Sequence, residues 1–255
     1  MESEIGGRAP GGQAYAGGPQ TDSFMNDGPE PGESNKVWYL KQNRLFEDVP
    51  EDEVEQNEGL FTMKTFARKA FIFDESDPSR TVYMVKRGAV RIARLTEDGK
   101  EGTVAVLGRG DLFGEESIFS DRPRSTFAVA LDDTLICMAR AEDLFALLES
   151  QPKVALNVAK VMSERLVELQ STVEDLAYAR LSERLINLFN RLAIEHGRPV
   201  EGGVEITIRL THADLASLVG STRETVSLEM TNLVKAGRIK IDGKSVVLVP
   251  EAAAQ

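Results

Sequence analysis

Apolar positions along this chain change their period several times, and each change marks a different element. Across residues 81–85, 90–94, 102–107, 127–131 and 135–138 they form short β-type runs separated by turn residues, with a hairpin turn at Glu97, Asp98, Gly99 and Lys100. Short strands repeated at roughly 8–12-residue spacing predict a β-barrel or sandwich. From residue 152 to 178 the period becomes helical. Met162, Leu166, Leu169, Val173 and Leu176 recur at alternating steps of four and three, while Glu164, Glu168, Glu174 and Asp175 fall outside that stripe. This is an a/d seam, which packs either on its own domain or on a parallel second copy. A further amphipathic helix is predicted over residues 181–193.

The pattern from 211 to 233 predicts two short helices joined by a tight turn at Gly220. Thr211 with Asp214, and Ser221 with Glu224, have the spacing of capping boxes, each opening a helix. Leu215, Leu218 and Val219 line the inner face of the first helix; Val226, Met230 and Leu233 line that of the second. The polar face of the second carries Thr222, Arg223, Glu224, Ser227 and Thr231. A helix-turn-helix sets such a helix in the DNA major groove, where Arg223 at its second position can donate two hydrogen bonds to guanine and Glu224 can accept from cytosine. A structural helical hairpin with a solvated outer face shares this pattern. Residues 238–241 and 245–249 then predict a β-hairpin turning at Asp242 and Gly243 as a type I′ turn. Such a hairpin after the two helices makes a winged helix, and so favours DNA.

The chain of 255 residues is long enough for two cores, and its composition is that of a soluble globular protein. Its net charge of −11 does not oppose nucleic acid, because the acidity lies ahead of the helix-turn-helix. Residues 178–255 hold 10 basic and 9 acidic side chains, and a local basic face is enough for phosphate contact. Arg223, Lys235, Arg238, Lys240 and Lys244 could supply it. No apolar run is long enough to span a membrane and no signal peptide opens the chain, so a cytoplasmic location is expected. The single cysteine, Cys137, sits in an apolar run, reads as a core side chain and rules out a disulfide framework or a four-cysteine cluster. Residues 1–36 are Gly- and Pro-rich without periodicity and read as a disordered tail, in which Thr21 and Ser23 are candidate phosphorylation sites.

Within the β-rich part, Gly114 and Glu115 open a short predicted helix whose free backbone N–H groups could hold an anion. Arg124 adds a fork of donors suited to phosphate, and Ser125 or Thr126 a hydroxyl. Glu115 is out of place beside a phosphate unless it accepts ribose hydroxyls. A Glu–Arg salt bridge across the turn would use the same residues.

The order of β-roll, Phe-Gly-Glu to Arg-Ser cassette at 113–125, long helix and Arg-Glu-Thr-Val winged helix at 223–226 resembles the CRP/FNR (cyclic-AMP receptor protein) transcription factors over about residues 40–250. The resemblance implies an α+β architecture. A cyclic-nucleotide-binding-type β-roll would span residues 37–150, a dimerisation helix 151–180 and a winged helix-turn-helix DNA-binding domain 181–255. It implies a ribose held by Gly114 and Glu115, a cyclic phosphate held by Arg124 and Ser125, and Arg165 near the ligand. Leu169 and Gln170 stand where cyclic-AMP-binding members carry a Thr-Ser pair that reads adenine across the dimer, so the base would lose its hydroxyl partners. Arg223 and Glu224 match the family's base-reading pair, while Leu228 replaces a second arginine and could contact a thymine methyl. DNA-binding positions are thus Thr222, Arg223, Glu224, Ser227 and Leu228.

The implied partners are a second copy, an inverted-repeat duplex and RNA polymerase, with no membrane. An iron–sulfur cluster lacks its cysteines. A haem lacks a histidine in the sensor domain, since His196 and His212 both lie C-terminal; no metal-ligand spacing is present. No nucleophile–base constellation or P-loop supports an enzyme. Two readings remain: a regulator gated by a cyclic nucleotide or similar small ligand, and the same DNA-binding regulator with a ligand-independent β-roll, controlled by abundance, partners or phosphorylation.

Overall fold

The computed structural model describes residues 36–78, 80–119, 123–243 and 245–250. Most of the expected N-terminal tail, with Thr21 and Ser23, lies outside them, as does Lys244. The chain enters through helix α1 (Lys36–Lys41), already structured at a position the composition had assigned to the tail, then a 3-10 turn at Arg44–Phe46 and helix α2 (Glu51–Asn57).

Two four-stranded antiparallel sheets follow. One has the order β1 (Thr62–Phe66), β8 (Thr134–Arg140), β3 (Thr81–Arg87), β6 (Leu112–Phe113); the other is β2 (Phe71–Phe73), β7 (Phe127–Ala130), β4 (Val90–Leu95), β5 (Glu101–Leu107). Strand β3 is buried on both faces, and its alternation sorts its side chains. Tyr83 and Val85 join Phe73, Val90, Leu107, Phe113 and Ile136 in one core. Val82 and Met84 point the other way, into a core with Leu40, Phe46, Phe61 and Leu144. Cys137, on the same face as Met84, is fully buried, and burial pushes its thiol up to about 11. It is a core side chain, as its apolar setting predicts.

Helix α3 (Glu116–Phe119) sits in the loop after β6, and α4 (Ala141–Ser150) leads into α5 (Pro152–Tyr178). Pro152 suits the first turn of α5, where its missing N–H costs nothing. The start of α5 is tied to the N-terminal segment by Asn157, whose Nδ2 donates to the carbonyls of Leu45 (3.0 Å) and Glu47 (2.9 Å). Helix α6 (Leu181–His196) begins the C-terminal domain, followed by the strands β9 (Gly197–Val200) and β10 (Gly203–Ile206), the helices α7 (His212–Leu218) and α8 (Arg223–Lys235), and the wing strands β11 (Ile239–Asp242) and β12 (Ser245–Leu248). The wing joins the preceding hairpin in a sheet of order β11-β12-β10-β9. Asp242 pairs with Ser245 and so belongs to the ladder, and the turn begins at Gly243, one residue beyond the expected start; Gly243 supplies the positive φ of 58°. No described helix is long and apolar enough to cross a membrane.

Candidate DNA interface and ligand site

Helix α7 opens as its sequence predicts. Thr211 Oγ1 accepts from the N–H of Asp214 (3.1 Å), and Asp214 Oδ2 accepts from the N–H of Thr211 (2.8 Å). The second box is not formed at Ser221. Thr222 is the N-cap of α8, its Oγ1 accepting from the N–H of Thr225 at 3.2 Å. A Thr-x-x-Thr cap has replaced Ser-x-x-Glu because the turn runs one residue longer, so Arg223 is the first helical residue and not the second. Between the helices Gly220 takes φ 60°. Val226, Met230 and Leu233 are buried, whereas Thr222, Arg223, Glu224, Ser227 and Leu228 are exposed, Leu228 at 65%. One exposed face therefore carries the whole expected base-reading set. Lys235 and Lys240 are exposed nearby and Arg238 is half-buried.

The ligand candidates come together from three elements. After β6 the chain turns at Gly114 (φ 80°), where a Cβ would lie 2.9 Å from Arg124 Nη1 and from Tyr83 Cδ2. Any other residue there would be strained by that φ and crowded by those atoms. Glu115 pairs with Arg165 of α5 at 3.1 Å, and the same guanidinium donates to the Leu112 carbonyl at 3.0 Å. The salt bridge across the turn that Glu115 and Arg124 could have made is thus replaced by one from the β-roll to the long helix. Arg124 lies inward, 5% exposed, over the Phe73 ring at 4.1 Å, and donates to the carbonyls of Thr81 (2.8 Å) and Gly114 (3.4 Å). Ser125 Oγ donates to Glu116 Oε1 at 2.5 Å. Glu115 and Arg165 thus set a carboxylate and a cation side by side. The two carbonyl bonds hold the Arg124 guanidinium in place. Leu169 and Gln170 are exposed on α5.

Sequence reasoning missed a polar contact between the two domains. Asp214 Oδ1 accepts from Thr103 Oγ1 of β5 at 2.7 Å and lies 3.6 Å from Arg91 Nη1 of β4, whose other nitrogen donates to Glu101 at 2.6 Å. The capping spacing already accounted for Asp214, so no second signal marked it. Beside this contact Ala89 lies in the same core as Leu185, Phe189 and Val226, with Val106 and Leu131 packed against it. His196, at the end of α6, sits on Gly108, where a Cβ would stand 2.7 Å from its Cε1.

A nucleotide-type cassette in a double-sheet roll, a long helix and an exposed recognition helix with a wing define a DNA-binding transcriptional regulator with a cyclic nucleotide-binding domain. Family comparison agrees: the cyclic nucleotide-binding domain matches residues 63–151 and the Crp-like helix-turn-helix domain residues 179–254. The cyclic AMP receptor protein of Thermus thermophilus is 32% identical over 214 residues, covering 84% of this chain and 95% of that protein. The global nitrogen regulator of Synechocystis is 30% identical over 188 residues, 73% of this chain and 84% of that one. A solved CRP/FNR-family regulator from Thermus thermophilus matches with a TM-score of 0.63 at 26% identity, covering 76% of this chain and 96% of that chain. The chain belongs to the CRP/FNR family of transcriptional regulators, which are not enzymes.

Proposed function

We propose that the protein acts in the cytoplasm as a homodimer on inverted-repeat promoter sites, working with RNA polymerase, and that its β-roll responds to a cyclic nucleotide or similar small ligand. The observation that carries this reading is the joint exposure of the seam of α5 and the base-reading face of α8. Leu166, Leu169, Val173 and Leu176 are 57, 58, 64 and 43% exposed, and an apolar row of that length needs a partner. A parallel second copy supplies one and gives the two recognition helices the two-fold symmetry of an inverted repeat, with half-sites about one helical turn apart. Gly114, Glu115, Arg124, Ser125 and Arg165 hold the ligand; Thr222, Arg223, Glu224, Ser227 and Leu228 meet DNA. The relatives' names support cyclic AMP first, since one is a cyclic AMP receptor protein and another, from Mycobacterium tuberculosis, a CRP-like cAMP-activated global transcriptional regulator.

A second reading keeps the DNA function and makes the β-roll ligand-independent. It is favoured by Arg124, whose guanidinium is engaged with main-chain carbonyls, and by Leu169 and Gln170, which offer a base no hydroxyl. The two part in a fluorescence-anisotropy titration of a labelled duplex, selected from a random pool, with and without cyclic AMP and cyclic GMP. Tightening by about tenfold or more with one nucleotide supports the gated regulator. Strong binding that neither nucleotide alters supports the second reading.

A further inference from the structure

We propose that Asp214, Thr103 and Arg91 form a strut that positions the DNA-binding domain on the β-roll, and so sets the half-site spacing the dimer accepts. The inference rests on the inverted-repeat reading. It starts from a buried carboxylate with two separate jobs. Asp214 is 9% exposed and Thr103 is 6% exposed. One oxygen of Asp214 caps α7, taking the N–H and hydroxyl of Thr211 at 2.8 and 2.6 Å. Capping needs no more than this. The other oxygen takes the Thr103 hydroxyl at 2.7 Å and faces Arg91 at 3.6 Å, and a buried carboxylate oxygen is satisfied only where those donors stand. The contact is directional, and it fixes α7 against the hairpin of β4 and β5.

Arg91 is itself held. It donates to Glu101 at 2.6 Å and lies 5.7 Å from the Phe127 ring. The His196 contact on Gly108 and the apolar packing of Ala89 add a second, non-polar seat for the same domain. None of these contacts covers the base-reading set, since Arg223, Glu224, Ser227 and Leu228 stay exposed. The strut therefore holds the recognition face outward and does not cover it. In a dimer, two heads held at one angle bind their own spacing with high effective concentration, whereas two loose heads accept many spacings, each more weakly.

Two variants loosen the seat at separate places and leave Asp214 as the cap of α7. Thr103→Val removes the hydroxyl at nearly constant shape; Gly108→Ala sets a methyl against the His196 ring. Anisotropy is measured on the selected duplex, on duplexes with its half-sites moved apart by a few base pairs, and on a single half-site. The wild type is expected to prefer its own spacing by about tenfold or more, and both variants to lose most of that preference while keeping single-half-site affinity. A merely structural role would weaken all three DNAs alike, and that result overturns the proposal, as do unchanged spacing preferences or tighter binding to the selected duplex. Hydrogen exchange is followed on the same variants. Faster exchange in α7 and β5 together is expected, and unchanged protection in Thr103→Val overturns the strut without any DNA. If the wild type shows no spacing preference while exchange responds as expected, the inverted-repeat reading fails and the domain contact stands.

Discussion

Arg223 begins α8 with its side chain in solvent, and a guanidinium there is free to make the bidentate contact that distinguishes guanine. Arg223→Ala should cost about 1–3 kcal/mol in specific binding and relax preference at one base pair. Anisotropy against duplexes substituted one position at a time measures both; equal weakening on every sequence would reassign Arg223 to phosphate. Gly220 makes a different demand. At φ 60° any other residue carries the left-handed penalty, and an added Cβ would also meet Leu176 Cδ2 at 2.7 Å. Gly220→Ala should lower stability by about 1–2 kcal/mol, read from the urea midpoint. Most single residues that matter here were legible, because charge and capping chemistry are local. Asp214 was legible as a cap and not as a strut, since its second partner lies 111 residues away in sequence.

Elements were legible in proportion to their periodicity. Helix α5 runs from Pro152 to Tyr178 as its seam predicts, and β3, β4, β5, β7 and β8 fall on the apolar runs. The strands β1 and β2 and the helices α1 and α2 carry no clear alternation, and the β9–β10 hairpin is written in Gly- and Pro-containing segments that read as loop. Yet that hairpin completes the wing sheet and follows directly on His196, whose ring is held neutral. Burial, only partly offset by Asp132, lowers its pKa from 6.5 to about 4, and its side chain is 6% exposed. The unfolded chain binds this proton more readily, so the stability that neutral His196 contributes is full above pH 6.5 and lost as pH falls toward 4, about 3 kcal/mol in all. Glu195 next to it works in the opposite direction. Burial first, then Asp111 and Glu168, raises its pKa from 4.5 to about 7, so stability falls as pH rises across that interval, softened because its side chain is 39% exposed. The two slopes oppose each other between pH 4.5 and 6.5. Urea unfolding of Glu195→Gln should expose the His196 slope, and Glu195→Gln with His196→Gln should flatten it. An unchanged slope in the double variant would place the titration elsewhere.

At the scale of the whole molecule, the seam of α5 divides along its length. Met162 packs against the helical layer of the β-roll, while Leu166, Leu169, Val173 and Leu176 remain exposed; the sequence pattern alone gave all five one role. Leu176 also touches the turn at Gly220, and Asp175 accepts from Asn187 of α6 at 2.8 Å. The end of the seam is therefore in direct contact with the DNA-reading domain. Leu166→Glu with Val173→Glu sets like charges across a parallel seam and avoids Leu169 and Gln170, where a ligand base would lie. Light scattering should then report a monomer. Its affinity for an inverted repeat should fall about a hundredfold or more, because the second half-site no longer binds intramolecularly. Affinity for a single half-site should hold, since α8 and its caps are untouched. A variant that stays dimeric would assign the exposed row to some other surface, and a monomer that binds the full repeat undiminished would show that each recognition helix acts alone.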